Sequence, residues 1–71
     1  MKYYRRTSHY RITSYYRVFS IWVESFNDGR WIYLDTTLEE LKARVLSWKD
    51  KLVEITKEEC ETELMMQELS K

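Results

Sequence analysis

Aromatic and β-branched residues dominate positions 15–26, a composition that favours a pleated, half-buried strand. Asn27, Asp28 and Gly29 follow, and these residue types tolerate the positive φ angles of a tight turn. A second apolar run occupies positions 31–34. The pattern predicts a β-hairpin with one long strand over 15–26 and a partner strand over 31–34.

The residues before this hairpin give a weaker pattern. Positions 9–13 predict a shorter edge strand, with Ser14 as the break, although one bent strand that starts at Tyr10 explains the same residues. Positions 1–9 are expected to form a flexible N-terminal segment.

Two helix starts are predicted in the second half of the chain. Thr36 and Thr37 are each followed three residues later by Glu, which is the spacing of a capping box. The helix that begins here presents an apolar face at the period of 3.6 residues and ends near Ser47 or Trp48. This face is formed by Leu38, Leu41, Val45 and Trp48.

A polar break at positions 49–51 separates this helix from a short apolar run at 52–55, which predicts a strand. Thr56 and Glu59 then form a second capping box, which predicts a C-terminal helix. The rival interpretation is one long helix from Leu38 into the fifties.

The elements predict a small α+β domain over residues 1–71, with two or three antiparallel strands followed by helix, strand and helix (ββαβα). Period-two alternation assigns one sheet face to Phe19, Ile21, Val23, Ile32 and Leu34, and the other to Val18, Trp22, Trp31 and Tyr33. Both faces are apolar, so covering by the helices decides which Trp residues are exposed.

The composition argues against an enzyme. The chain has one Cys and one His, so it cannot form an intrachain disulfide or a zinc site of Cys and His ligands. Cys60 stands among carboxylates that oppose its ionisation, and we expect it to be a small packing residue. Glu58, Glu59, Glu61 and Glu63 point in different directions on a helix and are expected to form a solvated face. No catalytic residue, metal site or cofactor is predicted.

One free thiol, no signal-like leader and no apolar run of spanning length favour a cytoplasmic protein without a membrane partner.

The net charge of zero results from two halves of opposite charge. Positions 1–30 carry six basic and two acidic side chains, a net charge of +4, and positions 31–71 carry six and ten, a net charge of −4.

Five of the six Arg and five of the six Tyr lie in the first thirty residues. Arg, Tyr and Trp anchor interfaces because they combine large contact area with directional donors at low entropic cost. The sequence therefore predicts a partner-binding surface formed by Arg5, Arg6, Arg11, Tyr15, Tyr16, Arg17, Trp22, Arg30, Trp31 and Tyr33.

Part of the chain resembles the AP2-like N-terminal DNA-binding domains of phage-type integrases. The resemblance rests on residues 15–18 (YYRV), 28–30 (DGR) and 37–41 (TLEEL), and it covers positions 10–48 at most. It implies a three-stranded sheet that lies in the major groove, followed by a helix. The outward sheet positions of that family are usually basic, whereas Trp31, Tyr33 and Asp35 occupy the last strand here.

These observations give two main hypotheses. The first is a small non-enzymatic interaction protein that docks on a host protein or protein–nucleic acid complex. In size and in its missing chemistry the chain is similar to accessory or inhibitor proteins of phages and mobile elements, including anti-CRISPR proteins. The second hypothesis is direct DNA or RNA binding by the basic aromatic sheet, which would depend on Arg5, Arg6, Arg11 and Arg17.

Two further alternatives stay open at this point. The acidic C-terminal helix is a candidate mimic of a phosphate track, which would make Glu58, Glu61 and Glu63 the binding residues. A homodimer in which the oppositely charged halves of two copies face each other is the other alternative.

Overall fold

The structure is a computed structural model that describes residues 1–70. Five strands and two helices follow one another as β1 (Lys2–Thr7), β2 (Thr13–Val18), β3 (Val23–Asn27), β4 (Arg30–Leu34), α1 (Leu38–Ser47), β5 (Lys51–Ile55) and α2 (Lys57–Leu69). The strands form one antiparallel sheet in the order β4-β3-β2-β1-β5. The α+β class and the final helix, strand and helix are confirmed.

The prediction of one long strand over 15–26 is wrong. The chain reverses at residues 19–22, where the Phe19 N–H donates to the Trp22 carbonyl oxygen at 2.9 Å, so this segment forms both β2 and β3. The reversal contains Phe19, Ile21 and Trp22 and lacks the Gly, Pro and Asn that usually mark a turn. Because its residues favour strands, their composition gave no indication that the chain reverses at 19–22.

The N-terminal segment also differs from expectation. Residues 1–9 were expected to be flexible, but Lys2–Thr7 form β1, which pairs with β2 on one side and β5 on the other. Residues 9–13 do not form an edge strand, because residues 8–12 make the β1–β2 loop and β2 begins at Thr13. The Arg11 N–H donates to the Ser8 carbonyl oxygen at 2.9 Å and closes this loop.

Each helix covers one face of the sheet. On the α1 face, the buried core is formed by Tyr4, Tyr16, Val23, Leu41 and Val45, with Val18, Leu34, Leu38 and Leu52 partly buried against it. On the α2 face, it is formed by Tyr3, Tyr15, Ile55 and Cys60, with Phe26, Trp31 and Leu64 packed against it. Val18 was predicted on the face of Trp31 and lies instead on the α1 face, because the reversal at 19–22 changes the alternation.

Local sequence signals explain the ends of the elements. Asp28 (φ 50°) and Gly29 (φ 83°) form the two-residue β3–β4 turn, as predicted. The Thr37 hydroxyl accepts the Glu40 N–H at 3.1 Å and caps α1. At α2, the reciprocal capping box of Thr56 and Glu59 is complete. Because the Glu59 carboxylate accepts the Thr56 backbone N–H, its pKa is lowered from the ordinary value.

The rival single long helix is not formed, because α1 ends in a tight C-terminal motif. The Lys49 N–H donates to the Leu46 carbonyl oxygen and the Asp50 N–H to that of Val45, both at 3.0 Å, and Lys49 has the left-handed φ of 59°. This is the Schellman arrangement, in which Gly usually occupies the Lys49 position. No helix within residues 1–70 is long and apolar enough to cross a membrane.

The antiparallel order gives the sheet two distinct ends. The hairpin end contains the β1–β2 loop (residues 8–12), the β3–β4 turn (residues 28–29) and the start of β5. The helix-start end contains the 19–22 turn and the N-termini of both helices.

Cys60 gives a direct test of the packing beneath α2. Its side chain has 0% relative exposure, and burial, followed by the nearby Glu63 and Glu61, raises the pKa of its thiol. We expect iodoacetamide to alkylate the native protein at least about 100-fold more slowly than the urea-unfolded chain at the same pH, because labelling requires transient unfolding. Mass spectrometry of timed samples measures both rates. Equal rates would contradict the buried position.

Candidate functional site

The structure distributes the predicted partner-binding residues over four places. Arg17, Trp22, Trp31 and Tyr33 lie together beside α2, whereas Arg5 and Tyr15 lie beneath that helix. Arg6 and Tyr16 lie on the α1 face, and Arg11 and Arg30 lie at the hairpin end. Burial and ion pairing differ sharply between these groups.

An ion pair forms the centre of the first group. The Arg17 Nε donates to Glu24 Oε1 at 2.5 Å, and these residues are cross-strand partners in β2 and β3. The Trp22 indole N–H donates to the second oxygen, Glu24 Oε2, at 3.3 Å. The guanidinium carbon of Arg17 lies 4.5 Å from the ring centre of Trp31 and 5.5 Å from that of Phe19. A cation at this distance is attracted by the aromatic rings.

Tyr33 completes the group from the edge strand β4. It pairs with Glu24 in the β3–β4 register, and its side chain is 60% exposed, compared with 36% for Trp22. Trp31 is held from below by edge-to-face contacts with Tyr3 and Phe26, at ring-centre distances of 6.1 and 5.2 Å. We call Phe19, Trp22, Trp31 and Tyr33, with the Arg17–Glu24 pair between them, the aromatic surface.

The predicted residues beneath α2 hold that helix on the sheet. The Arg5 Nη1 donates to both carboxylate oxygens of Glu63, at 2.9 and 3.1 Å, and the Tyr15 hydroxyl donates to Glu63 Oε1 at 2.7 Å. Burial, reinforced by the bond to Glu63, raises the pKa of Tyr15 far above its ordinary value. Glu63 was expected on a solvated helix face and is instead partly buried and paired, whereas Glu58, Glu59 and Glu61 are exposed.

The pair on the α1 face joins the sheet to the α1–β5 connection. The Arg6 Nε donates to Asp50 Oδ2 at 2.8 Å, with little exposure of either side chain, and Arg6 Nη1 donates to the Tyr16 hydroxyl at 3.4 Å. Tyr16 is buried in the core. Arg6 and Tyr16 therefore act inside the molecule.

Arg11 and Arg30 are exposed and form no ion pair within residues 1–70. Lys49 and Lys51 lie at the same hairpin end, so unpaired positive charge collects there. At the opposite end, the first turns of both helices carry acidic residues, which complement the positive ends of the helix dipoles. No group of three or more His, Cys, Asp or Glu side chains in the described part of the chain is arranged to hold a metal ion.

Sequence reasoning missed two members of the aromatic surface, Phe19 and Glu24. Both depend on the reversal at 19–22, which brings Glu24 opposite Arg17. Recognition of that turn would have given the register and hence the pair, because opposite charges on adjacent strands are favourable cross-strand neighbours.

Comparisons of the chain with models of protein families, with curated proteins and with solved structures found no match. The geometry of the described residues is therefore the basis for a functional proposal.

The buried hydroxyl of Tyr15 predicts a pH dependence of stability. The unfolded chain loses this proton near pH 10, whereas the folded chain retains it, so the free energy of unfolding should fall as the pH rises above about 10. A Tyr15→Phe variant lacks this contribution and should show a shallower fall. Urea unfolding of both proteins between about pH 8 and about pH 11 measures the difference. A wild-type slope no steeper than that of the variant would contradict the assignment.

Proposed function

We propose that this chain is a small non-enzymatic interaction protein that docks on a partner protein through the aromatic surface and the adjacent edge of β4. The observation that carries the proposal is the exposure of Trp22 and Tyr33 around the Arg17–Glu24 pair, on the part of the α2 face beside the helix. Trp, Tyr and Arg are the residues that dominate binding energy at protein interfaces.

The surface is preorganised, which reduces the cost of binding. Glu24 accepts hydrogen bonds from both Arg17 and Trp22, and Trp31 is fixed by the rings packed below it. Side chains that are already held in place lose little conformational entropy when a partner binds. An aromatic anchor in such a setting is therefore suited to bind a complementary pocket.

The two edges of the sheet support a docking site on the β4 side. Natural edge strands are usually protected by Lys, Pro or inward charges. The edge strand β5 exposes two charged residues, Lys51 and Glu54, beside the apolar Val53. The edge strand β4 exposes one charged residue, Arg30 at its start, and exposes Ile32 and Tyr33 on opposite faces. We infer that an extended segment of the partner pairs with β4, as in recognition by strand addition, while the aromatic surface contacts its side chains.

Charge favours a protein over bare nucleic acid as the partner. Direct DNA or RNA binding was predicted to use Arg5, Arg6, Arg11 and Arg17, but Arg5, Arg6 and Arg17 are each paired with a carboxylate. A paired cation contributes less to phosphate neutralisation, on which nonspecific affinity depends. Direct nucleic-acid binding is therefore the second candidate function.

Within this proposal, an accessory or inhibitor role is the one that we prefer. Such a protein would act by occupying a site on a nucleic-acid-processing protein of its host. Its neutral aromatic surface would bind the partner without competing for the phosphate backbone.

Replacement of the exposed aromatic residues tests the proposal. We expect Trp22→Ala and Tyr33→Ala each to weaken partner binding by about tenfold or more, because truncated interface anchors commonly cost that much. Leu46→Ala is the matched control, since Leu46 is an exposed apolar residue on α1. Host lysate, with and without nuclease treatment, is passed over the wild type and each variant, and binding of the recovered protein is then measured with purified components.

A partner retained by the wild type and Leu46→Ala, but lost by both aromatic variants, would support docking. Equal retention by all four proteins would contradict it, and recovery that disappears on nuclease treatment would favour the nucleic-acid alternative. Sedimentation of the wild type identifies self-association, in which case the second copy is the partner. Arg17 is unsuitable for this test, because its replacement would leave Glu24 unpaired.

A further inference from the structure

The hairpin end contains a pocket of about 270 Å³ that the proposed docking site does not use. It is lined by Thr7, Ser8, His9, Arg11, Lys49 and Lys51. Three of these side chains are cationic, two carry hydroxyl groups, and none is a carboxylate. We call this the basic pocket.

The nearest carboxylate in the sequence is already neutralised. Asp50 lies between Lys49 and Lys51, but Arg6 donates to its Oδ2 at 2.8 Å on the α1 face. Lys49, Lys51 and Arg11 form no ion pair within residues 1–70. The positive charges of the pocket are therefore available to an added anion.

Backbone conformation gives a second and independent observation. Among residues 1–70, the non-glycine residues with positive φ are Arg11 (63°), Asp28 (50°) and Lys49 (59°). Asp28 belongs to an Asp-Gly turn, where this residue type is favoured. Arg11 and Lys49 occupy positions where Gly or Asn would be less strained, and both line the basic pocket.

Hydrogen bonds fix the two backbone segments that carry Arg11 and Lys49. The Ser8 N–H donates to the Ile12 carbonyl oxygen at 3.0 Å, and the Ile12 N–H donates to the Ser8 hydroxyl oxygen at 3.1 Å. Ser8 therefore uses its oxygen as an acceptor and keeps its O–H as a donor. Lys49 is fixed by the Schellman bonds at the end of α1.

The geometry points to a binding site for the phosphate group of a small phosphorylated ligand, held in the basic pocket by Arg11, Lys49 and Lys51. A tetrahedral oxyanion matches this set, because guanidinium and ammonium groups form the strongest hydrogen bonds with charged oxygens. The hydroxyl of Ser8 supplies a further donor. This site is separate from the aromatic surface and does not depend on the proposed docking function.

Glycine variants test the site without damaging the fold. Arg11→Gly and Lys49→Gly each remove a cation from the pocket and relieve a left-handed position, so both should fold and Lys49→Gly should melt about 4 °C higher than the wild type. Arg44→Gln is the matched control, because Arg44 is an exposed cation in the last turn of α1 and does not line the pocket.

The probes are inorganic phosphate, adenosine 5′-monophosphate and adenosine, titrated at low ionic strength while amide NMR shifts are recorded. We expect phosphate and the nucleotide to give saturable shifts at residues 7–11 and 49–51, and adenosine to give none. Affinity should fall at least about fivefold in each glycine variant and stay within about twofold in Arg44→Gln. Tighter binding of the nucleotide than of phosphate would identify an organic phosphate as the ligand.

Three results would overturn the inference. These are the absence of a saturable shift with either phosphate probe, unchanged affinity in both glycine variants, and binding of adenosine as strong as that of its monophosphate. Because melting temperatures are measured on the same samples, loss of binding in a variant is distinguished from loss of folding.

Discussion

Two adjacent Tyr pairs support both cores of this protein. Tyr3 and Tyr4 in β1, and Tyr15 and Tyr16 in β2, send one ring to each face of the sheet because neighbouring side chains of a strand point in opposite directions. Residues on both faces of the sheet must be buried by a chain of only 71 residues. Tyr supplies large area, provided that its hydroxyl group finds a partner when the ring is buried.

The hydroxyl groups of Tyr15 and Tyr16 belong to the same hydrogen-bonded groups as the neighbouring Arg5 and Arg6. The Glu63 carboxylate accepts hydrogen bonds from the Tyr15 hydroxyl and from the Arg5 guanidinium. The Tyr16 hydroxyl accepts one from the Arg6 guanidinium. The same two Arg residues reach carboxylates 58 and 44 positions away along the chain. The charge asymmetry between the two halves of the sequence is thus partly internal, since basic residues of the first strand hold acidic residues of the second half in place. A composition typical of an interface serves here largely to assemble the fold.

Local signals in the sequence were sufficient for the elements that depend on local contacts. The Asp28-Gly29 turn, the Thr caps and the inward positions Leu38, Leu41 and Val45 of α1 each arise from residues within one or two turns of chain. Trp48 was predicted on the same helix face and is instead 65% exposed, because α1 ends before it and it caps the helix. The strand β1 could not be recognised in this way, because its charged residues become compatible with a strand inside the sheet only when partners far along the chain pair with them. The aromatic residues of the candidate site were predicted individually, but their arrangement around Glu24 required the register that the hidden turn at 19–22 sets.

The left-handed positions show where the sequence follows local preference and where it departs from it. At the β3–β4 turn, Asp28 and Gly29 meet the backbone requirement with favoured residue types. At Arg11 and Lys49 the same requirement is met by long cationic side chains, although Gly would stabilise either position more. A small domain has little free energy of unfolding in reserve, so two such departures are a real cost. Both departures place positive charge in one pocket, and the proposed phosphate site would give them a common reason.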